Sequence, residues 1–414
     1  MTAVVIAIFA LTYVLIAFRR LRFLPIGRAA GALLGATLMV VSGAITPAES
    51  YRAIDGDTMV LLLAMMLLTG ELELTGFFVW ASARVLRHAK SPKALLVMVG
   101  VGAAVGSALL VNDTVCLFMT PVVVATCLSA KLPMGPYLTV LATSANLGSA
   151  ATLVGNPQNM LIGSMSQIPF GSFLLAVLPV VAVAIVAQMA LALWFYRKVI
   201  PASFACPTSD ESAPPMPRGV LRILVVFAGV VVAFFAGAHL GYAAMAGAVT
   251  VIVINRRDPQ PTFVRVDWTL LLFFAGLFIV TGALRATGLV DDLWQGVAPA
   301  LRLDEPGGIA AFTGVMTGGS NLVSNVPMVV LSGPYLHTLG DAAFGYTLLA
   351  YVTTIAGNLT LVGSVANIIV AEGAREHYHL GFVEYLRFGA VSTVLSLAIG
   401  VPLLSLWAPI ALRL

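Results

Sequence analysis

Charge is what this 414-residue sequence has least of: Asp, Glu, Lys and Arg make up 10% of it, against about 25% in a soluble globular protein. With 60% hydrophobic residues and a mean hydropathy of +1.00, that scarcity excludes an ordinary soluble globule and leaves a polytopic membrane protein. Cysteine is almost missing, three residues in all, which excludes a disulfide framework. Cys116 and Cys127 share a helix face but stand roughly 16 Å apart along it, too far to grip one metal, so they read as small core residues. The five histidines, His88, His239, His337, His377 and His379, fall near the ends of apolar stretches. No histidine is therefore set at membrane depth to serve a metal or to activate a Ser or Cys, and an intramembrane enzyme is not expected. There is no Gly-rich loop followed by Lys and Ser or Thr, hence no ATP cradle and no cofactor site. There is also no long basic run, so the net charge of +4 and pI near 9.0 do not indicate nucleic-acid binding.

What is present in excess is apolar stretch of membrane-spanning length. Spans are expected at 2–18, 26–46, 58–82, 137–163, 172–196, 219–238, 240–255, 267–290, 342–371 and 388–411. The first has no small-residue cleavage site and is followed by Arg19, Arg20 and Arg22, so it is read as a retained span. Two longer stretches, 94–130 and 309–338, carry polar kinks at Asn112, Asp113, Thr114 and at Ser320, Asn321, Ser324, Asn325; these read as re-entrant hairpins. With the N-terminus outside and neither hairpin crossing, all of the 22 Lys and Arg except Arg52, Arg285, Arg302 and Arg413 fall at or near cytoplasmic ends. That distribution points to a multi-pass protein of a cell inner membrane.

Polar residues inside these spans are concentrated, not scattered. Ser144 to Asn159 reads SANLGSAATLVGNPQN, where Gly155 and Pro157 are expected to open the helix between Thr152 and Pro157. Asn358 to Asn367 reads NLTLVGSVAN and repeats its core. Opened backbone survives in a bilayer only where protein buries it or a wet cavity lines it, and paired interrupted segments in two halves of a membrane protein point to a transporter's solute site. The Pro-rich loop 201–217 separates the halves, 1–200 and 218–414. A shift of 212 sets Asp55 on Asp267, Gly106 on Gly318 and Asn146 on Asn358, and a shift of 208 then sets Thr152 on Thr360 and Gly155 on Gly363. The fold class expected is all-α, with two inverted-topology repeats, each giving a hairpin tip and a broken helix.

The candidate site residues follow: Asn112, Asp113 and Thr114 at the first tip; Asn146, Thr152, Gly155, Asn156 and Asn159 at the first break; Ser324 and Asn325 at the second tip; Asn358, Thr360, Gly363, Ser364 and Asn367 at the second break. Open helix N-termini suit an anionic or oxyanionic solute, and unwound carbonyls suit a small cation. Asp113 is the sharpest single residue, because an ionisable group within the membrane is costly and marks function by default. Glu73, which the repeat sets on Arg285, is a second coupling candidate and equally a structural ion pair.

At these residues the chain resembles the ion transporter superfamily that contains arsenite efflux permeases, NhaD-type sodium/proton antiporters, the melanosomal P protein, citrate transporters and divalent anion:sodium symporters. Thr152, Gly155, Pro157 and Asn159 fit TxxGxPxN; Asn358, Thr360, Gly363, Ser364 and Asn367 fit NxTxxGSxAN. Asn112–Asp113 is similar to the AND tip of arsenite permeases, with Val111 in place of Ala, and Ser324 to Pro327 is similar to the SNVP tip of small anion permeases. The resemblance implies a homodimeric secondary transporter that moves a small anion or metalloid oxyanion by an elevator motion, driven by protons or sodium. Arsenite-type efflux leads; a sodium-coupled dicarboxylate or sulfate symporter and a sodium/proton antiporter are the alternatives.

Overall fold

The computed structural model describes residues 1–17, 27–86, 88–203 and 215–413. Arg19, Arg20, Arg22, Arg87 and Cys206, with the middle of the 201–217 linker, lie outside the described residues. Among the described residues there is no strand. The first half forms α1 (Thr2–Ala17), α2 (Arg28–Val41), α3 (Pro47–Ala53), α4 (Gly56–Leu74), α5 (Phe77–Leu86), α6 (Pro92–Leu109), α7 (Asn112–Ser129), α8 (Met134–Ser149), α9 (Pro157–Ser166) and α10 (Phe170–Phe195). The second forms α11 (Val220–Phe235), α12 (Leu240–Asn255), α13 (Gln260–Phe263), α14 (Trp268–Arg285), α15 (Leu289–Val297), α16 (Pro306–Val323), α17 (Asn325–Ser332), α18 (Ala342–Ala356), α19 (Val365–Gly373) and α20 (Phe382–Ala411).

By length and composition, α6, α7, α10, α14 and α20 are each able to cross a membrane, and α3 with α4, bent by 54°, makes a sixth. The apolar helices α1, α2, α11, α12 and α18 are shorter. Four expected spans are divided for local reasons, 267–290 among them, where α14 ends at Arg285 and the chain turns at Gly288, whose φ is +75°. The 58–82 stretch stops at Thr75 and turns at Gly76, whose φ of +78° suits glycine. The 137–163 and 342–371 stretches split into α8 with α9 and α18 with α19. Outward faces of α10, α11 and α20 carry Val186, Val225, Val232, Val394 and Leu406, all exposed, as a lipid-facing surface requires.

Packing between the halves is reciprocal. α2 lies on α14 and α12 on α4; α8 meets α19 and α18 meets α9; α7 meets α19 and α17 meets α9; α10 lies on α20. α8 stands at the centre, buried at every residue from Met134 to Ser149. Its last turn runs so close to α6 that a Cβ on Gly148 would come within 2.1 Å of the Ala104 carbonyl oxygen. Only glycine fits there, and that approach seats the first hairpin against the break that follows α8.

Candidate functional site

Each break is held open by its own amides. After Ser149, whose hydroxyl donates to the Asn146 carbonyl at 2.8 Å, the chain leaves the helix and re-enters at Pro157, the first residue of α9. Asn156 caps α9 by accepting the Asn159 N–H at 2.9 Å. The Asn159 side chain donates back to the Thr152 carbonyl at 2.9 Å. In the second break Asn367 does the same for the Gly357 and Thr360 carbonyls, at 2.8 and 3.0 Å. Each hairpin is tied on: Thr152 Oγ1 donates to the Ala108 carbonyl at 2.6 Å, Thr360 Oγ1 to Asn321 Oδ1 at 3.3 Å, and the Asn112 N–H to the Gly155 carbonyl at 2.9 Å.

Asn146 joins the two systems. Its Nδ2 donates to Asn358 Oδ1 at 2.8 Å and Asn367 Oδ1 at 2.9 Å, while its Oδ1 accepts from Asn112 Nδ2 at 2.9 Å and Ser364 Oγ at 3.0 Å. The amide's hydrogen-bonding capacity is thereby used up. Asn358 donates onward to the Thr143 carbonyl at 2.9 Å, and Asn156 Nδ2 to Ser149 Oγ and Thr354 Oγ1 at 2.9 and 3.2 Å. Asn146→Ala strips partners from four buried groups at once, and each group left unpaired costs about 1–3 kcal/mol. The variant is expected to melt well below the parent in detergent; an unchanged melting temperature would show that the hub is dispensable.

Beside this network lies a cavity of about 330 Å³, on which the first turns of α2, α7, α9, α14, α17 and α19 converge. Helix starts present unpaired N–H groups and partial positive charge. Three charged side chains line it: Arg28, Asp113 and Asp267. Among the described residues none of the three has an ion-pair partner, and Asp267 accepts only the Leu270 N–H, as the cap of α14. Among the described residues, Arg28 Nε, Asn112 Oδ1 and Asn325 Oδ1 are buried with no hydrogen-bond partner. Buried polar atoms call for a partner from protein, water or solute, and three of them on one cavity suit it to a polar solute. At the second tip Ser324 has a φ of +77°, a conformation that non-glycine residues adopt at a cost of about 1–3 kcal/mol and that concentrates at functional sites.

The cavity thus gathers Asn112, Asp113, Ser324, Asn325, Gly363 and Ser364 from the residues singled out in the sequence. Asn146, Thr152, Gly155, Asn156, Asn159, Asn358, Thr360 and Asn367 stand behind it as braces, and Thr114 is half-buried on α7 without lining it. Glu73 and Arg285 do not meet. Glu73 pairs with Arg265 at 2.9 Å, just before α14 begins, whereas Arg285 ends α14 about 27 Å further along the helix, beside Asp55 and Asp57 at the start of α4. Residues matched by the shift lie at opposite ends because α4 and α14 run in opposite senses. Arg28, Gln158 and Asp267 line the cavity and were not singled out. The sequence signal for Asp267 was its match to Asp55, since both cap a helix start; Arg28 looked like one more basic residue at a loop end.

Residues 13–356 match the model of the citrate transporter family. The chain is 33% identical to the silicon efflux transporter LSI3 of Oryza sativa subsp. japonica, over 96% of each protein. It is 28% identical to the putative transporter arsB of Dictyostelium discoideum, over 93% of this chain and 88% of that one. A 46 kDa membrane protein of Mycobacterium leprae is 32% identical over 96% of this chain and 97% of its own length.

Proposed function

Because the chain belongs to the citrate transporter family, and is a membrane transporter rather than an enzyme, we propose that it exports a small hydroxylated metalloid acid of the arsenite kind in exchange for protons. The observation that carries this reading is the composition of the cavity: two carboxylates and two orphan amide oxygens accept, while Arg28 and the helix starts donate. A compact neutral acid brings several O–H donors and oxygen acceptors and can satisfy both sets. A tricarboxylate would bring its charges against Asp113 and Asp267. The names of the rice and Dictyostelium relatives agree with a metalloid. Arg28 and the converging helix starts favour a second reading, sodium-coupled movement of a dicarboxylate.

Two inverted repeats are supported by the reciprocal packing of the halves and by the contact between Asn146 and Asn358, 212 residues apart. In this reading α1–α4 and α11–α14 form the frame and the dimer contact, both hairpins and both broken helices form the moving part, and the motion is an elevator. The charge distribution supports an inner membrane with the N-terminus outside, which sets the start of α2 and the cavity mouth toward the cytoplasm. Flux of arsenite, antimonite, succinate, citrate and sulfate into proteoliposomes, under a pH or a sodium gradient imposed separately, tests it. Proton-driven arsenite movement is expected; sodium-driven succinate or citrate uptake with no arsenite flux would replace this reading with the second.

A further inference from the structure

The cavity has a smaller counterpart. About 200 Å³ of space is lined by Asp57, His239 and Leu240, at the starts of α4 and α12, with Ser164 of α9. These helix starts are those of the first cavity displaced by 212 positions: residues 27–29 become 239–241, and Asp267 becomes Asp55. The frame is likewise the same pair, α12 on α4 where the first has α2 on α14. This second space shares no lining residue with the first. Ser164 Oγ bonds both oxygens of Asp55, at 3.1 and 3.0 Å, which fastens α9 to the start of α4, and His239 stands 3.3 Å from Asp57. At the other end Asp267 is exposed and no such fastening holds among the described residues.

Under that shift the helix starts differ in polar side chains: Leu240 stands in the place of Arg28, His239 in that of Gly27 and Asp57 in that of Thr269, and His239 and Asp57 already face each other at 3.3 Å, which leaves Arg28 against Leu240 as the difference open to a solute. We infer that Arg28 makes solute binding sided. With the site at the α2–α14 end, as in this structure, the guanidinium, without an ion-pair partner among the described residues, contacts the solute; with the site at the α4–α12 end, Leu240 occupies the equivalent place and donates nothing. This rests on the inverted-repeat reading above and adds to it a residue that sets direction: the solute is held where Arg28 is and let go where Leu240 is. A hydrogen bond to a charged group that is present on one side only is worth about 10- to 100-fold in affinity.

The test uses the whole protein in proteoliposomes of known orientation, with arsenite as the probe and the half-saturating concentration measured from each side. In the parent it should be about 10- to 100-fold lower at the Arg28 end. Arg28→Leu should raise it at that end alone, Arg28→Lys should restore part of the difference, and Leu240→Arg, made separately, should lower it at the far end. Equal shifts at both ends in Arg28→Leu, or no shift in either variant while flux continues, would overturn this inference and leave the transport reading standing. Parent liposomes that move no arsenite would overturn both.

Discussion

Asp113→Asn is expected to abolish uphill transport while leaving a folded protein that still equilibrates solute down its own gradient. Asp113 lies in the first turn of α7, lines the cavity, and has no ion-pair partner among the described residues. Its surroundings do not use it for structure: the neighbouring Asn112 ties the tip to Asn146 and to the Gly155 carbonyl. Asparagine keeps the volume and the oxygen acceptor, so the tip keeps its shape, but it cannot carry a proton through the cycle. One proton exchanged per solute against a gradient of about one pH unit sustains about a tenfold solute ratio. The variant should sustain none, its final ratio falling to one. The charges facing Asp113 from the neighbouring helices are Arg28 on α2 and Asp267 at the start of α14, so Asp267→Asn is the informative control. Undiminished accumulation in Asp113→Asn would move the coupling role away from this carboxylate.

Much of this site was legible in the sequence because its parts are local. A Gly, a Pro and several amides within a dozen apolar residues predict an opened helix, and the structure opens it between α8 and α9. The two tips were visible for the same reason, as polar clusters in runs that have no other use for them. The division of labour among these residues was not visible. Asn112 and Asn146 are both buried asparagines in membrane helices, yet the first leaves an oxygen unpartnered beside the cavity and the second spends every bond on its neighbours. Which fate an amide meets is decided by the helix opposite, across a separation of more than 200 residues. Arg28 was hidden differently. A basic residue at the start of an apolar stretch has the same appearance whether it faces water or a cavity, and only the packing of α2 on α14 distinguishes the two.

Glu71→Ala is expected to lower stability by about 3 kcal/mol without involving the solute site directly. Glu71 and Glu73 are two residues apart in α4 and looked alike as carboxylates inside a span. The structure separates them. Glu71 is buried, and accepts from Thr262 Oγ1 at 2.5 Å, Asn255 Nδ2 at 2.6 Å and Arg257 at 2.5 Å, fastening the end of α4 to the segment that joins α12 to α14. Glu73 shares a partly exposed pair with Arg265. Removing one partner of a buried pair costs about 3–5 kcal/mol; the lower end applies because the Arg257 side chain is 37% exposed and keeps water. A half-exposed pair is worth about 1 kcal/mol or less, so Glu73→Ala should cost far less. The segment that Glu71 anchors leads directly into Asp267 and the first turn of α14, so Glu71→Ala should also loosen the frame side of the cavity and raise the half-saturating solute concentration. Thermal unfolding of the two variants in detergent, side by side, checks the difference. Equal losses would show that Glu71 is no more a brace than Glu73.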